Sequence, residues 1–325
     1  MIMELVDHHE ISKDITEPLH DKQLSDEKHP TPQKASDSVS AFTGFSEAAA
    51  IEHSLLSTPL ITVLPDALLK ENSDRKKFTF TFLEEAKFPG FYDKDTQSCL
   101  FKWGMQEHCY IKRFTFDQYL ESYNIDMFLH DFFNCNPHIK VLGSMDRWGT
   151  LGTVTSVAKE ATSHSITSLD FFDRLEEHGV VRSNGQIAKC LDEYHDSFLV
   201  ADDLRKCLLM PEFKQYDIFT ESDRQEFIFH VFKAVCLGGR LCQYEDDTKP
   251  YLDVTRKIYK DLITVVKNQT TSKLMVASSI YKIVNVASSV SPLFPIDHPQ
   301  NFCYVSIDHA RRHVNLLYHA SDTYY

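Results

Sequence analysis

The aromatic residues of this chain avoid its first 75 positions. Of 39 phenylalanines, tyrosines and tryptophans, only Phe42 and Phe45 fall there, beside one glycine and no cysteine. The same stretch carries 6 basic and 14 acidic residues, a net charge of −8. So few large apolar groups under that much like charge cannot offset chain entropy, so residues 1–75 are expected to be a disordered acidic tail. Within it, Pro30 and Pro32 favour local extended backbone. Residues 46–56 place Ala48, Ile51 and Leu55 on one face of a short amphipathic helix. Any core must come from residues 76–325, read as a single domain.

Charge narrows the function classes. Acidic residues outnumber basic ones 47 to 34, giving −13 overall. That balance argues against a nucleic-acid binder, which needs a basic face to displace counterions, and against a protein held on anionic lipid. No run approaches the ~18 apolar residues that a membrane span requires. The N-terminus lacks the basic and apolar regions of a secretory signal, and the C-terminus is no prenylation signal. The eight cysteines are therefore expected as cytosolic thiols.

The periodicity past residue 76 mixes two kinds of element. Residues 78–82 alternate phenylalanine and threonine, which predicts a half-buried strand, and residues 110–116 predict a second. Cys99, Leu100 and Trp103 lie at helical spacing between them. Residues 117–133 read as a helix with Leu120, Tyr123, Met127 and Phe128 on one side. Residues 148–157 alternate again, with Gly149 and Gly152 permitting bends. Thr167 and Asp170 suggest a capping box, with Gly179 closing that helix. Residues 220–237 read as one helix, capped by Thr220 and Asp223, striped by Phe227, Ile228, Val231, Phe232 and Val235, and ended by Gly238-Gly239. Pro250 suits a first turn, followed by Tyr251, Val254, Ile258 and Leu262. Residues 274–286, 302–307 and 314–319 return to strands, the last two joined as a hairpin through residues 308–312. Strands, then helices, then strands without βαβ alternation predict an α+β domain with a largely antiparallel sheet and a helical middle.

Motifs for chemistry are missing from the string. It has no phosphate loop, dinucleotide fingerprint, nucleophile elbow or His-Glu-x-x-His. Cys236 with Cys242 and Cys190 with His195 are the nearest metal-like pairs, and neither gives the two close pairs of a structural zinc. Cys207, Cys236 and Cys303 sit in apolar runs and read as core thiols. A Cys–His nucleophile remains open from sequence, with Cys190, Cys242, His195 and His319 as candidates. The most distinctive string is Gly238-Gly239-Arg240-Leu241-Cys242-Gln243-Tyr244-Glu245-Asp246-Asp247. One reading is a helix cap, a short strand and an acidic helix entry. The other is a partner-binding edge in which Tyr244, Glu245, Asp246 and Asp247 face a basic surface.

Residues 236–246, with residues 181–192, 197–205, 223–227, 250–252, 258–262, 311–313 and 317–319, resemble the cilia- and flagella-associated protein 300 family. The resemblance runs from about Phe78 to near the C-terminus and leaves the tail uncovered. It implies a non-enzymatic protein of cytoplasm and motile cilium, required for cytoplasmic preassembly and delivery of outer and inner axonemal dynein arms. The partner it implies is a PIH-domain dynein assembly factor of the kintoun type, with dynein subunits as further candidates. It brings no catalytic, cofactor or metal residues. A structural axonemal component and a Cys–His enzyme of unrecognised fold stand as alternatives.

Overall fold

The computed structural model describes residues 76–322 except positions 135, 197, 268–271 and 273. The acidic tail expected over residues 1–75 and the helix expected at 46–56 lie outside the described residues. The Phe-Thr alternation forms β1 (Phe80–Phe82), antiparallel to β2 (Cys109–Phe116) with Phe80 opposite Phe116. Between them, α1 (Lys94–Lys102) begins at Asp93, whose carboxylate accepts from the Asp95 and Thr96 N–H groups. That satisfies orphan donors at the positive end of the helix.

The helix expected over 117–133 is shorter. A 3₁₀ turn (Ser122–Asn124) leads into α2 (Ile125–Phe133). Asp117 accepts the Thr79 N–H at 3.0 Å instead of entering a helix. The buried face is Phe128, Leu129, Phe132 and Phe133, and Tyr123 is exposed. A hairpin of β3 (Val141–Gly143) and β4 (Arg147–Gly149) follows, then β5 (Val154–Ala161).

The middle is helical, as expected, with two corrections. A 3₁₀ turn (Leu169–Phe172) is capped by Ser168, whose hydroxyl accepts the Asp170 N–H, in place of the expected Thr167–Asp170 box. It precedes α3 (Arg174–Glu177), the hairpin of β6 (Lys189–His195) and β7 (Phe198–Asp202), and α4 (Asp203–Leu209). The helix read as 220–237 is two, α5 (Glu221–Arg224) and α6 (Phe227–Leu237). The Thr220–Asp223 capping box forms, yet Glu226 is extended at ψ 131°. Its carboxylate accepts the Ser165 and Ile166 N–H groups and the Ser165 hydroxyl. The Phe227 N–H donates to the Ser163 carbonyl at 2.7 Å. Several donors on one buried carboxylate outweigh the continuity of one helical turn.

Pro250 sits in the first turn of α7 (Lys249–Leu262), which buries Tyr251, Val254, Ile258 and Leu262. A small hairpin of β8 (Val265–Lys267) and β9 (Leu274–Val276) leads to β10 (Ser279–Ser288), β11 (Phe302–Asp308) and β12 (His313–His319). The expected hairpin joins β11 to β12. The main sheet has the order β1-β2-β12-β11-β10-β5, with every neighbouring pair antiparallel. Strand alternation divides the core between its faces. Ile111, Phe302, Tyr304 and Leu317 pack with α1, α6 and α7. Phe114, Cys303, Val305, Ile307 and Leu316 pack with α2 and β3 on the other side. All seven residues of β11 are buried, as a strand covered on both faces requires.

Candidate partner-binding site

The loop after α6 is fixed by backbone first. Gly238 ends the helix at φ 64° and ψ −149°, a conformation that needs glycine. The Gly239 N–H donates to the Trp103 carbonyl at 2.8 Å, and the Gln243 N–H to the Lys102 carbonyl at 3.0 Å. Loop and α1 terminus therefore lie backbone to backbone. A Cβ on Gly104, whose φ is +67°, would stand 1.7 Å from the Arg240 carbonyl oxygen. From below, Gln300 donates through its amide to the Leu237 and Gly239 carbonyls at 2.9 Å each.

Beneath the loop lies Arg205, with no exposed surface. Its guanidinium pairs with the Asp202 carboxylate and donates to the Cys236 carbonyl at 2.8 Å and the Tyr251 hydroxyl at 2.6 Å. Burial opposes its charge, but Asp202 and the neighbouring tyrosines and cysteine hold its pKa above the ordinary arginine value. The guanidinium also stacks 3.6 Å from the centroid of the Tyr244 ring. Burial pushes the Tyr244 phenol above its ordinary pKa.

The structure distributes the four residues singled out as a partner-binding edge. Tyr244 is half-buried over Arg205. The Glu245 N–H donates to the Tyr251 hydroxyl, and its carboxylate accepts from Lys102 Nζ at 2.6 Å and Trp103 Nε1 at 3.1 Å. Asp247 accepts the Lys249 N–H at 2.7 Å and so caps the entry to α7. Asp246 alone of the three acids is strongly exposed, with a side chain 81% accessible and Lys189 2.7 Å away. No strand forms over residues 241–246. Tyr244, Glu245 and Asp247 thus hold the loop, and Asp246 faces outward from it.

Sequence reasoning missed what the loop presents. Leu241 is 73% exposed at φ 56°, and Phe101 is 71% exposed. Together with Gly104, Gln106, His108 and Arg240 they line a cavity of about 260 Å³. Large exposed apolar side chains ringed by polar groups are characteristic of protein contact surfaces. The signal was present in the helical spacing of α1, where Phe101 falls off the Leu100 face.

The candidate chemical groups do not meet. Burial pushes the Cys242 thiol up to about 12 and lifts Cys190 above its ordinary value. His319 is buried, donates through Nδ1–H to the Gln300 carbonyl at 2.9 Å, and falls to about 4 because burial disfavours its charge. A cysteine nucleophile needs a stabilised thiolate, and no hydrogen bond links either cysteine to a histidine among the described residues. Neither Cys236 with Cys242 nor Cys190 with His195 gathers a third metal-capable side chain among the described residues. Glu107, His108 and Asp146 do come within 4.8 Å of one another, with the His108 imidazole already hydrogen-bonded to Asp146.

An antiparallel α+β core with a rigidly held surface loop is thus the class of protein in hand. Residues 77–319 match the family described as cilia- and flagella-associated protein 300. The chain is 35% identical over 243 residues to the cilia- and flagella-associated protein 300 of Chlamydomonas reinhardtii, covering 72% of this chain and 94% of that one. It is 34% identical over 227 residues to that of Paramecium tetraurelia, covering 69% and 87%. No solved structure matches. The chain belongs to the cilia- and flagella-associated protein 300 family. No helix among the described residues is long and apolar enough to cross a membrane.

Proposed function

We propose that this protein is a non-enzymatic adaptor in cytoplasmic preassembly and delivery of outer and inner axonemal dynein arms. It works with a PIH-domain assembly factor of the kintoun type, between a cytoplasmic pool and the motile cilium. Family membership over residues 77–319 carries the reading, since the family is tied by name to cilia and flagella. The geometry supports it through a loop fixed from beneath by Arg205, with exposed Leu241 and Asp246 on the loop and exposed Phe101 on α1 as the contact surface. The raised thiol pKa values support a role without a cysteine nucleophile.

Cells lacking the protein should build cilia of normal length that lack both sets of arms. Rescue should tolerate Cys190→Ser and Cys242→Ser. It should fail with Leu241→Glu and Phe101→Glu together, provided that variant is folded and stable. Intact arms in the null cell would sink the assembly reading. Retention in salt-extracted axonemes would point to a structural component instead, and failed rescue by a folded Cys→Ser variant to an enzyme.

A further inference from the structure

A cavity of about 430 Å³ lies between α6, β10 and the segment 294–302, on the side of the molecule described by Lys233, Lys282 and His298. Pockets that hold small organic ligands begin at about this size. Its lining holds more cationic side chains than carboxylates, Arg224, Lys233 and Lys282 against Glu221 and Asp297. Lys282 is paired with Glu160 at 2.9 Å. Arg224 spends its guanidinium on the Cys207, Leu208 and Tyr216 carbonyls and pairs with no carboxylate. Lys233 makes no hydrogen bond or ion pair among the described residues. Glu221 and Asp297 also line the cavity, and neither pairs with Lys233.

The imidazoles sharpen the imbalance. His298 is 4% exposed, and its Nδ1 accepts the Gln300 N–H at 3.4 Å. In the neutral ring the proton therefore sits on Nε2, a buried donor with no acceptor. The Nε2 of His230 is also unpartnered. Native structures rarely leave buried polar groups unmatched, and a site awaiting its ligand is one place where they do. Burial, Arg224 and Lys282 together lower the Lys233 pKa to about 8. An anion beside it would reverse that.

We propose that this cavity binds a small organic phosphate monoester, with Lys233 and His298 as donors to its oxygens. A phosphate monoester brings up to about two negative charges and three acceptor oxygens. That matches Lys233, which has no carboxylate partner among the described residues, and the unmatched Nε2 proton better than a single carboxylate. Phe229, Phe302 and Tyr304 in the lining leave an aromatic side for the organic part. The inference goes beyond the adaptor reading and stands independently of it.

The test is titration calorimetry of the full chain with phenyl phosphate and inorganic phosphate at matched ionic strength, with chloride as control. Both should bind saturably, phenyl phosphate about tenfold more tightly because it also fills the aromatic side. Lys233→Met should weaken both about tenfold or more. In wild type the His298 Nε2 resonance should move on binding. The variant should melt no lower than wild type without ligand, since it loses an unpaired, partly buried charge. Absence of saturation, or equal affinity in Lys233→Met, would overturn the proposal. Saturable binding of a glutamate-rich peptide, with none of either phosphate, would overturn it in favour of an acidic-peptide site.

Discussion

Asp202 does two jobs with one carboxylate. One oxygen accepts the Arg205 N–H at 3.0 Å and caps α4, and the other neutralises the Arg205 guanidinium. Both side chains are almost wholly buried, at 1% and 0% exposure. Removing one partner of such a pair strands a charge in a medium that cannot solvate it. Asp202→Ala is therefore expected to cost about 3–5 kcal/mol in urea unfolding, and Asp202→Asn less, because it keeps the cap. A change below about 1 kcal/mol would mean that the Cys236 and Tyr251 oxygens suffice for Arg205. The loop should loosen as well, since Tyr244 and the Tyr251 hydroxyl that meets Glu245 both rest on this guanidinium. The string 238–247 was legible as distinctive, but the direction of its side chains was not. Glu245 is turned inward by Trp103, 142 positions away in sequence, and spacing along a chain carries no record of such a partner.

At the scale of elements, Glu226 sets the boundary between α5 and α6. Alanine there is the better helix former by about half a kcal/mol. Local propensity alone predicts that Glu226→Ala joins the two helices and stabilises them. The tertiary account predicts the opposite, because the Ser165 and Ile166 N–H groups and the Ser165 hydroxyl lose their acceptor. We expect a net loss of about 2–4 kcal/mol. Hydrogen exchange should show protection disappearing at Ser165 and Ile166. A variant that melts higher would show that helix continuity wins. The contrast marks what sequence can express about this fold. The Phe-Thr alternation of β1, the capping box at Thr220, Pro250 at the entry to α7 and the β11–β12 hairpin all follow from near neighbours, and all were legible. The Glu226 break and the non-helical start of 117–133 depend on Ser163 and Thr79, so a periodic pattern ran straight through both.

Over the described molecule, the sheet couples two cores that share no apolar face. Alternate residues of β11 belong to one or the other, Phe302 and Tyr304 against Cys303, Val305 and Ile307. A strand cannot release one set of side chains and keep its register for the other. The two tryptophans happen to report on the two sides. Trp103 is fully buried beside Tyr251 in the α1–α6–α7 core, and Trp148 is 41% exposed in β4, against Tyr110 and Tyr318. Trp148→Phe leaves Trp103 as the sole indole. Its urea midpoint by fluorescence should coincide with the midpoint by circular dichroism, as a single cooperative transition demands. Adding Phe232→Ala removes a fully buried ring from the Trp103 side, at an expected cost of about 3–5 kcal/mol. Both midpoints should then fall together. A fluorescence midpoint that moves while the dichroism midpoint stays would mean that the helical layer detaches from a sheet still held by α2. In that case the loop carrying Leu241, which rests on the same layer through Trp103 and Gly104, would detach with it.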